Sequence, residues 1–220
     1  MAHFKPTTQA AGIALTTGAI LVLQSTMASA HHAMGGKMPD TFTSGLVSGL
    51  AHPVIGFDHL AFIVAAGIAS AFFAERLLLP LILIVATVVG CLMSSVSGVS
   101  LPAGEYVIAA SVLAIGIMVM SGQTIDKRVY GALFAVAGLF HGNAYAASIV
   151  GSESTPLLAY LIGFAAIQLA IMVCAAFATD ALSSTASRIS TEPRLAGAVV
   201  AGVGATFVIE HAEKLIFPGL

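Results

Sequence analysis

The sequence predicts an all-α, polytopic membrane helix bundle: about six transmembrane helices behind a cleaved signal peptide, the first of them broken at Pro53. Three observations predict it. Of 220 residues, 58% are hydrophobic and only 8% are charged, against roughly 25% charged in an average soluble domain. The apolar residues form long continuous runs, not the alternating ~10-residue segments of an outer-membrane barrel. Short polar stretches with turn residues separate the runs. So few charges cannot cover a soluble protein of this length. A net charge of −2 offers no basic face to a nucleic-acid backbone. A soluble enzyme, a nucleic-acid binder and a disordered tail are excluded.

The elements follow in chain order. Residues 1–30 read as a secretory signal. Lys5 supplies the positive start, 10–23 is an apolar run short for a full span, and Ala28-Ser29-Ala30 fits a small-x-small cleavage site. The alternative is an uncleaved first helix. Residues 31–220 then form one transmembrane domain. Its apolar segments are 51–73, 77–98, 104–121, 129–149, 155–178 and 195–213, each near the ~20 residues that cross a bilayer. Cys91 and Cys174 lie in apolar runs and are too few for a disulfide framework, so they read as packing residues, with a single disulfide as the alternative.

Charge placement tests the orientation independently. A cleaved signal leaves His31 outside and puts the loops after spans 1, 3 and 5 in the cytoplasm. Those loops hold Arg76, Lys127, Arg128, Arg188 and Arg194, while the outside holds Lys37 and Lys214. The bias obeys the positive-inside rule. The protein is therefore expected in a bacterial inner membrane with its mature N-terminus periplasmic.

Of the seven histidines, His3 falls in the signal. The others are His31, His32, His52, His59, His141 and His211, and this topology places all of them toward the outer side. Histidine is the commonest side-chain metal ligand, so the clustering points to capture of a cation from outside. Polar residues gathering at helix ends is the simpler alternative.

The first span carries the densest pattern, His52-Pro53-Val54-Ile55-Gly56-Phe57-Asp58-His59. Pro53 lacks an N–H and opposes a helical His52, which predicts a break at His52-Pro53. Broken helices build ion sites in transporters. In an unbroken helix His52 and His59 lie about 10.5 Å apart along the axis, seven residues at ~1.5 Å each. That exceeds the reach of one ion with ligand bonds of ~2 Å. Either the break folds His52 back toward Asp58 and His59, or the histidines serve successive stations. Asp58 is the one carboxylate well inside an apolar run, an expensive place for a charge. Its alternative is a structural hydrogen bond to His59 or another helix. Two histidines with an aspartate suit Ni²⁺, Co²⁺, Zn²⁺ or Cu²⁺ better than Mg²⁺ or Ca²⁺.

The fourth span carries Phe140-His141-Gly142-Asn143-Ala144-Tyr145. His141 and Tyr145 share a face, and Asn143 adds an oxygen. Gly138 and Gly142 make a small-residue face for a close neighbour. The first span is the expected neighbour, which would bring His141 to Asp58 and His59. Glu210 and His211, at the outer end of the last span, form a weaker candidate pair.

At these two motifs the chain resembles the HupE/UreJ family of nickel permeases. His, five residues, then Asp-His matches His52, Asp58 and His59. Phe-His-Gly-x-Ala matches Phe140, His141, Gly142 and Ala144. The resemblance covers the mature chain. It implies secondary uptake of nickel, or cobalt, for hydrogenase or urease maturation, with residues 31–220 as the transport domain. Family members often carry a Glu shortly after the second motif. Here Ala146 and Ala147 stand in that region, and Glu153 is the next carboxylate.

The expected metal residues are thus His52, Asp58, His59 and His141, with His31 and His32 handing the ion on from the mature N-terminus. The metal is cargo, and no catalytic cofactor is expected. No Walker motif for ATP is present, so ion gradients or membrane potential remain as the drive. The expected partners are the divalent ion and the lipid bilayer, with a homo-oligomer or hydrogenase and urease accessory proteins as further candidates. The second reading is a metal-binding membrane enzyme or metallocentre-assembly factor without transport. The third is a membrane subunit that needs a partner.

Overall fold

The structure is a computed structural model that describes residues 38–183 and 190–217. The expected signal peptide, His31, His32, Lys37 and Arg188 lie outside the described residues. Within them the chain forms seven α-helices and no strand. These are α1 (Phe42–Ile55), α2 (Phe57–Ser70), α3 (Leu78–Ser95), α4 (Gly104–Ser121), α5 (Lys127–Tyr145), α6 (Ser154–Leu182) and α7 (Thr191–Ile216), with a 3-10 turn at Ala146–Ser148 after α5.

Local chemistry sets several ends. Thr41 and Ser44 form a capping box at the start of α1. Thr41 Oγ1 accepts the Ser44 N–H at 3.1 Å, and Ser44 Oγ accepts the Thr41 N–H at 2.9 Å. Asp126 caps α5 by accepting the Arg128 N–H at 2.7 Å. Gly122 ends α4 with φ +66°, a conformation glycine adopts without penalty.

The break in the first span falls later than expected. Pro53 lies inside α1, and helical geometry is abandoned at Gly56, with φ −72° and ψ 106°. One proline removes a single helical hydrogen bond, and α1 continues past it to Ile55. Between α1 and α2 the axis turns by 81°.

The polytopic bundle holds, with one correction to the count. Helices α3, α4, α6 and α7 are each long and apolar enough to cross a membrane, and α1 with α2 adds a fifth when the bent pair is counted as one span. The expected sixth, α5, falls short in composition because Lys127, Arg128, His141 and Asn143 are polar. Its 19 residues still extend about 28 Å at ~1.5 Å per residue, and it runs beside α3.

Helix directions follow from close contacts. Gly45 abuts Pro156 and Gly49 abuts Tyr160, so α1 runs parallel to α6. Gly138 meets Ala86 and Gly142 meets Thr87, so α5 runs parallel to α3. Gly116 abuts Ala201 and Gly204 abuts Leu113, so α4 and α7 are antiparallel. These directions match a chain that alternates through six passes. The Gly138/Gly142 face is therefore occupied by α3 and not, as expected, by the first span.

The outward helix faces carry large apolar side chains, and a few polar side chains are buried within a mainly apolar core. Val85, Phe177 and Val199 are more than 60% exposed, while His141, Gln168 and Thr87 are at most 1% exposed. This is the pattern of a surface solvated by lipid. Helix α2 is central and touches every other helix, which is why nine of its residues, from His59 to Ser70, are buried. Arg76, Lys127 and Arg194 gather at one end. There Lys127 pairs with Glu75 at 3.0 Å, Arg76 pairs with Asp180, and Arg194 Nε donates to the Met120 carbonyl at 3.0 Å.

Candidate metal site

The bend at Gly56 sets the site. It starts α2 with Asp58 and His59 in its first turn and leaves His52 on the last turns of α1. The His52 and His59 ring centroids lie 6.4 Å apart, well below their separation along an unbroken helix. Gly56 itself must lack a side chain. A Cβ there would stand 2.5 Å from His59 Cδ2 and 3.3 Å from Asp58 Oδ1.

Helix α5 brings the third histidine. His141 Nδ1 lies 2.7 Å from His59 Nδ1, and its Nε2 lies 3.0 Å from Ser111 Oγ on α4. His141 arrives at His59 although its neighbouring glycines face α3. On a helix the two faces are separable, and α5 gives its glycines to one neighbour and its imidazole to another. Phe62 packs on the His141 ring at 4.7 Å and Tyr145 on the His59 ring at 4.6 Å. Phe62 belongs to the larger apolar cluster and Tyr145 to a smaller one with Cys91, Tyr160 and Phe164. The histidine pair thus sits between two hydrophobic clusters.

His52 is held separately. Its Nδ1 lies 2.9 Å from Ser148 Oγ and 3.0 Å from the Tyr160 hydroxyl, and Tyr160 in turn donates to the Tyr145 carbonyl at 2.8 Å. Asp58 Oδ1 accepts the backbone N–H of His59 at 2.8 Å, the structural bond weighed as its alternative role. That bond uses one oxygen only. Among the described residues the buried Tyr145 hydroxyl has no hydrogen-bond partner, an unusual state for a buried polar group.

Burial is graded. His52 and Asp58 are half-buried, His59 is 8% exposed and His141 1%. Beyond His141 an aromatic series, Phe62, Phe134, Tyr130 and Phe73, leads toward the basic end with successive ring centroids 5.8, 6.3 and 5.7 Å apart.

No three His, Cys, Asp or Glu side chains among the described residues converge on one ion position. The reason is visible at the histidine pair. A shared ion needs about 2.0–2.1 Å to each nitrogen, whereas His59 and His141 hydrogen-bond to each other.

Other sequence candidates lie elsewhere. Asn143 is not a free oxygen donor. Its Oδ1 accepts the Leu101 N–H at 3.0 Å and its Nδ2 donates to the Val99 carbonyl at 2.8 Å, so it staples the α3–α4 loop to α5. Glu153 is exposed at the N-cap of α6, and among the described residues no hydrogen bond or ion pair joins it to a histidine. His211 packs on Tyr106 at 5.4 Å and Glu210 pairs with Lys214 at 2.7 Å. Cys91 and Cys174 are both free thiols. The sequence reading missed Ser111, Ser148 and Tyr160. For Ser111 and Tyr160 the available signal was a lone hydroxyl within an apolar helix, which is too common to single out, and Ser148 lies in the 3-10 turn after α5.

A multi-pass helical membrane protein with an internal histidine–aspartate cluster is the class these features define. The HupE / UreJ protein family matches residues 19–207, and the chain belongs to that family. It is 27% identical to Protein HupE of Rhizobium leguminosarum bv. viciae over 195 residues, covering 88% of this chain and 96% of the relative. No solved structure matches.

Proposed function

We propose that this protein is a secondary transporter that takes up a divalent transition metal, Ni²⁺ foremost and Co²⁺ as the alternative cargo, from the periplasmic side. The observation that carries this reading is the gathering of His52, Asp58, His59 and His141 at a helix break inside an apolar bundle. An ionisable cluster in a membrane interior is costly without a role, and imidazole with carboxylate suits borderline divalent ions. The positive-inside rule turns the basic end to the cytoplasm. The half-buried His52 and Asp58 then face the periplasm in the inner membrane, and the aromatic series closes the inward path. His31 and His32, at the mature N-terminus, collect the ion for the cluster. The cargo is destined for hydrogenase or urease maturation.

The protein performs no reaction on the ion. Membrane potential supplies the drive. Two charges gain about 4.6 kcal/mol per 100 mV, equivalent to roughly a thousandfold accumulation or more.

Purified protein in vesicles tests this directly. Wild type should accumulate Ni²⁺ under an inside-negative potential, and Asp58→Asn and His59→Ala should lose that accumulation. Uptake by both variants at the wild-type rate would remove the site. Ni²⁺ binding by wild type without accumulation would favour a metallocentre-assembly role.

A further inference from the structure

The contacts of His141 carry a consequence for which atom meets the ion. Both of its ring nitrogens are engaged, Nδ1 by His59 at 2.7 Å and Nε2 by Ser111 at 3.0 Å. Ser111 Oγ also lies 2.7 Å from the carbonyl oxygen of Ile108. A carbonyl only accepts. Two oxygens at that distance with no proton between them repel, so the single hydroxyl proton of Ser111 points to Ile108. Ser111 must then accept from His141, which places a proton on His141 Nε2. A neutral imidazole carries one N–H, so His141 Nδ1 is the acceptor and His59 Nδ1 is the donor. His59 is left with its lone pair on Nε2. That nitrogen adjoins Cδ2, the ring atom closest to the Gly56 break, and takes no hydrogen bond among the described residues.

We propose that Ser111 is a positioning residue for the transported ion: acting through His141, it holds His59 in the one tautomer that offers Nε2 as a ligand, so that His141 orients His59 and does not itself coordinate. This deepens the transport reading and rests on it. The chain of donors runs His59 Nδ1–H to His141 Nδ1, His141 Nε2–H to Ser111 Oγ, and Ser111 O–H to the Ile108 carbonyl. Every donor has an acceptor, and the terminal carbonyl sets the direction. Histidine ligands are commonly held this way by a partner on their second nitrogen, and loss of such a partner lowers metal affinity by about 10–100-fold. All members of the chain are buried: Ser111 is 5% exposed, His59 8% and His141 1%. The coupling is therefore shielded from competing water.

The test uses the purified full chain and Co²⁺, whose visible absorption reports its ligands. Ser111→Ala removes the acceptor and should weaken Co²⁺ affinity tenfold or more, with the band positions of wild type at saturation. Ser111→Thr keeps the hydroxyl and should bind like wild type. Ser111→Cys, a weak acceptor of similar size, should fall between. In Ni²⁺ uptake, Ser111→Ala should raise KM by the same factor and leave the maximal rate near wild type. Ser95→Ala is the control, since Ser95 Oγ makes a similar bond to its own helix at the Cys91 carbonyl but away from the cluster. His141→Ala should lose affinity yet retain the wild-type bands, whereas His59→Ala should change or abolish them. Thermal melting of each variant separates unfolding from the effect sought. The proposal is overturned if folded Ser111→Ala titrates like wild type while His59→Ala does not, or if His141→Ala alters the bands as His59→Ala does. Should His59→Ala also titrate like wild type, the fault lies in the metal site itself.

Discussion

His59 and His141 meet nitrogen to nitrogen at 2.7 Å across 82 positions of sequence. Neither belongs to a helix that packs extensively on the other's. The contact exists because α2 enters the bundle at a bend and α5 is held in place by a different helix. The bend rests on Gly56 and the α3–α5 seam on a few glycines, which makes the arrangement open to mutation outside the histidines.

Gly56→Ala should damage the site while leaving every polar group in place. The new methyl would stand 2.5 Å from His59 Cδ2, and the ring cannot swing aside without losing His141. Overpacking of this kind costs about 1–3 kcal/mol, and Ni²⁺ affinity should drop with stability. Gly202→Ala, with nothing within 4 Å, should be neutral or stabilise by up to about 1 kcal/mol, since alanine is the better helix former. Parallel melting and uptake measurements check the pair; equal behaviour of the two variants would sink the steric account.

Gly142→Ala tests the α3–α5 seam. Its Cβ would run into the Thr87 carbonyl, a backbone atom that cannot yield as a side-chain tip does. We expect a loss of about 1–3 kcal/mol and displacement of His141 from His59. Gly131→Ala lies on the same helix with its nearest neighbour, Ile82 Cδ1, at 3.6 Å, and should be tolerated. A melting shift for Gly131→Ala as large as that for Gly142→Ala would show that the seam is not what matters.

Asn143→Ala separates stapling from ligation. Removal frees the Leu101 N–H and the Val99 carbonyl, at about 1–3 kcal/mol if they stay dry. The α3–α4 loop should become a protease target, and Co²⁺ affinity of the folded protein should stay at the wild-type value. A tenfold loss of affinity with an intact loop would return Asn143 to the ligands.

Acid should loosen the basic end. The hydrogen bond from Lys127 is the largest influence on Glu75 and holds its carboxyl below the ordinary value of 4.5. A carboxyl depressed in the folded state stabilises above its unfolded pKa, and that contribution is lost as pH falls through 4.5 and toward the folded value. Lys127→Gln should therefore melt below wild type at pH 7, with the gap narrowing on acidification below about 4.5. The double exchange Glu75→Lys with Lys127→Glu should recover the neutral-pH value. A gap that is constant with pH would assign the effect to packing of the lysine stem.

The solvent and the helices were legible from the sequence alone. With 8% charge, only a lipid-facing bundle satisfies the backbone. Hydropathy and turn residues act within one segment, so the helices fall where the apolar runs do. The charges also placed themselves: Arg76, Lys127 and Arg194 share one end of the bundle, as alternation of the spans requires. The motif residues His52, Asp58, His59 and His141 were readable too, because ionisable groups are conspicuous in an apolar run.

Tertiary structure decided what each of these residues touches. A proline announces a weakened helix, but the bend settled at Gly56, where the absent Cβ lets the chain pass His59. A pair of glycines says that some helix can come close without saying which, and α3 took the face expected for the first span. In sequence Asn143 reads as an oxygen donor near the site, whereas in the fold its amide holds the α3–α4 loop. Ser111 is an ordinary helical serine in sequence. It acquires its part only because α4 lies behind His141, and that adjacency depends on how whole helix faces pack, which no local pattern encodes.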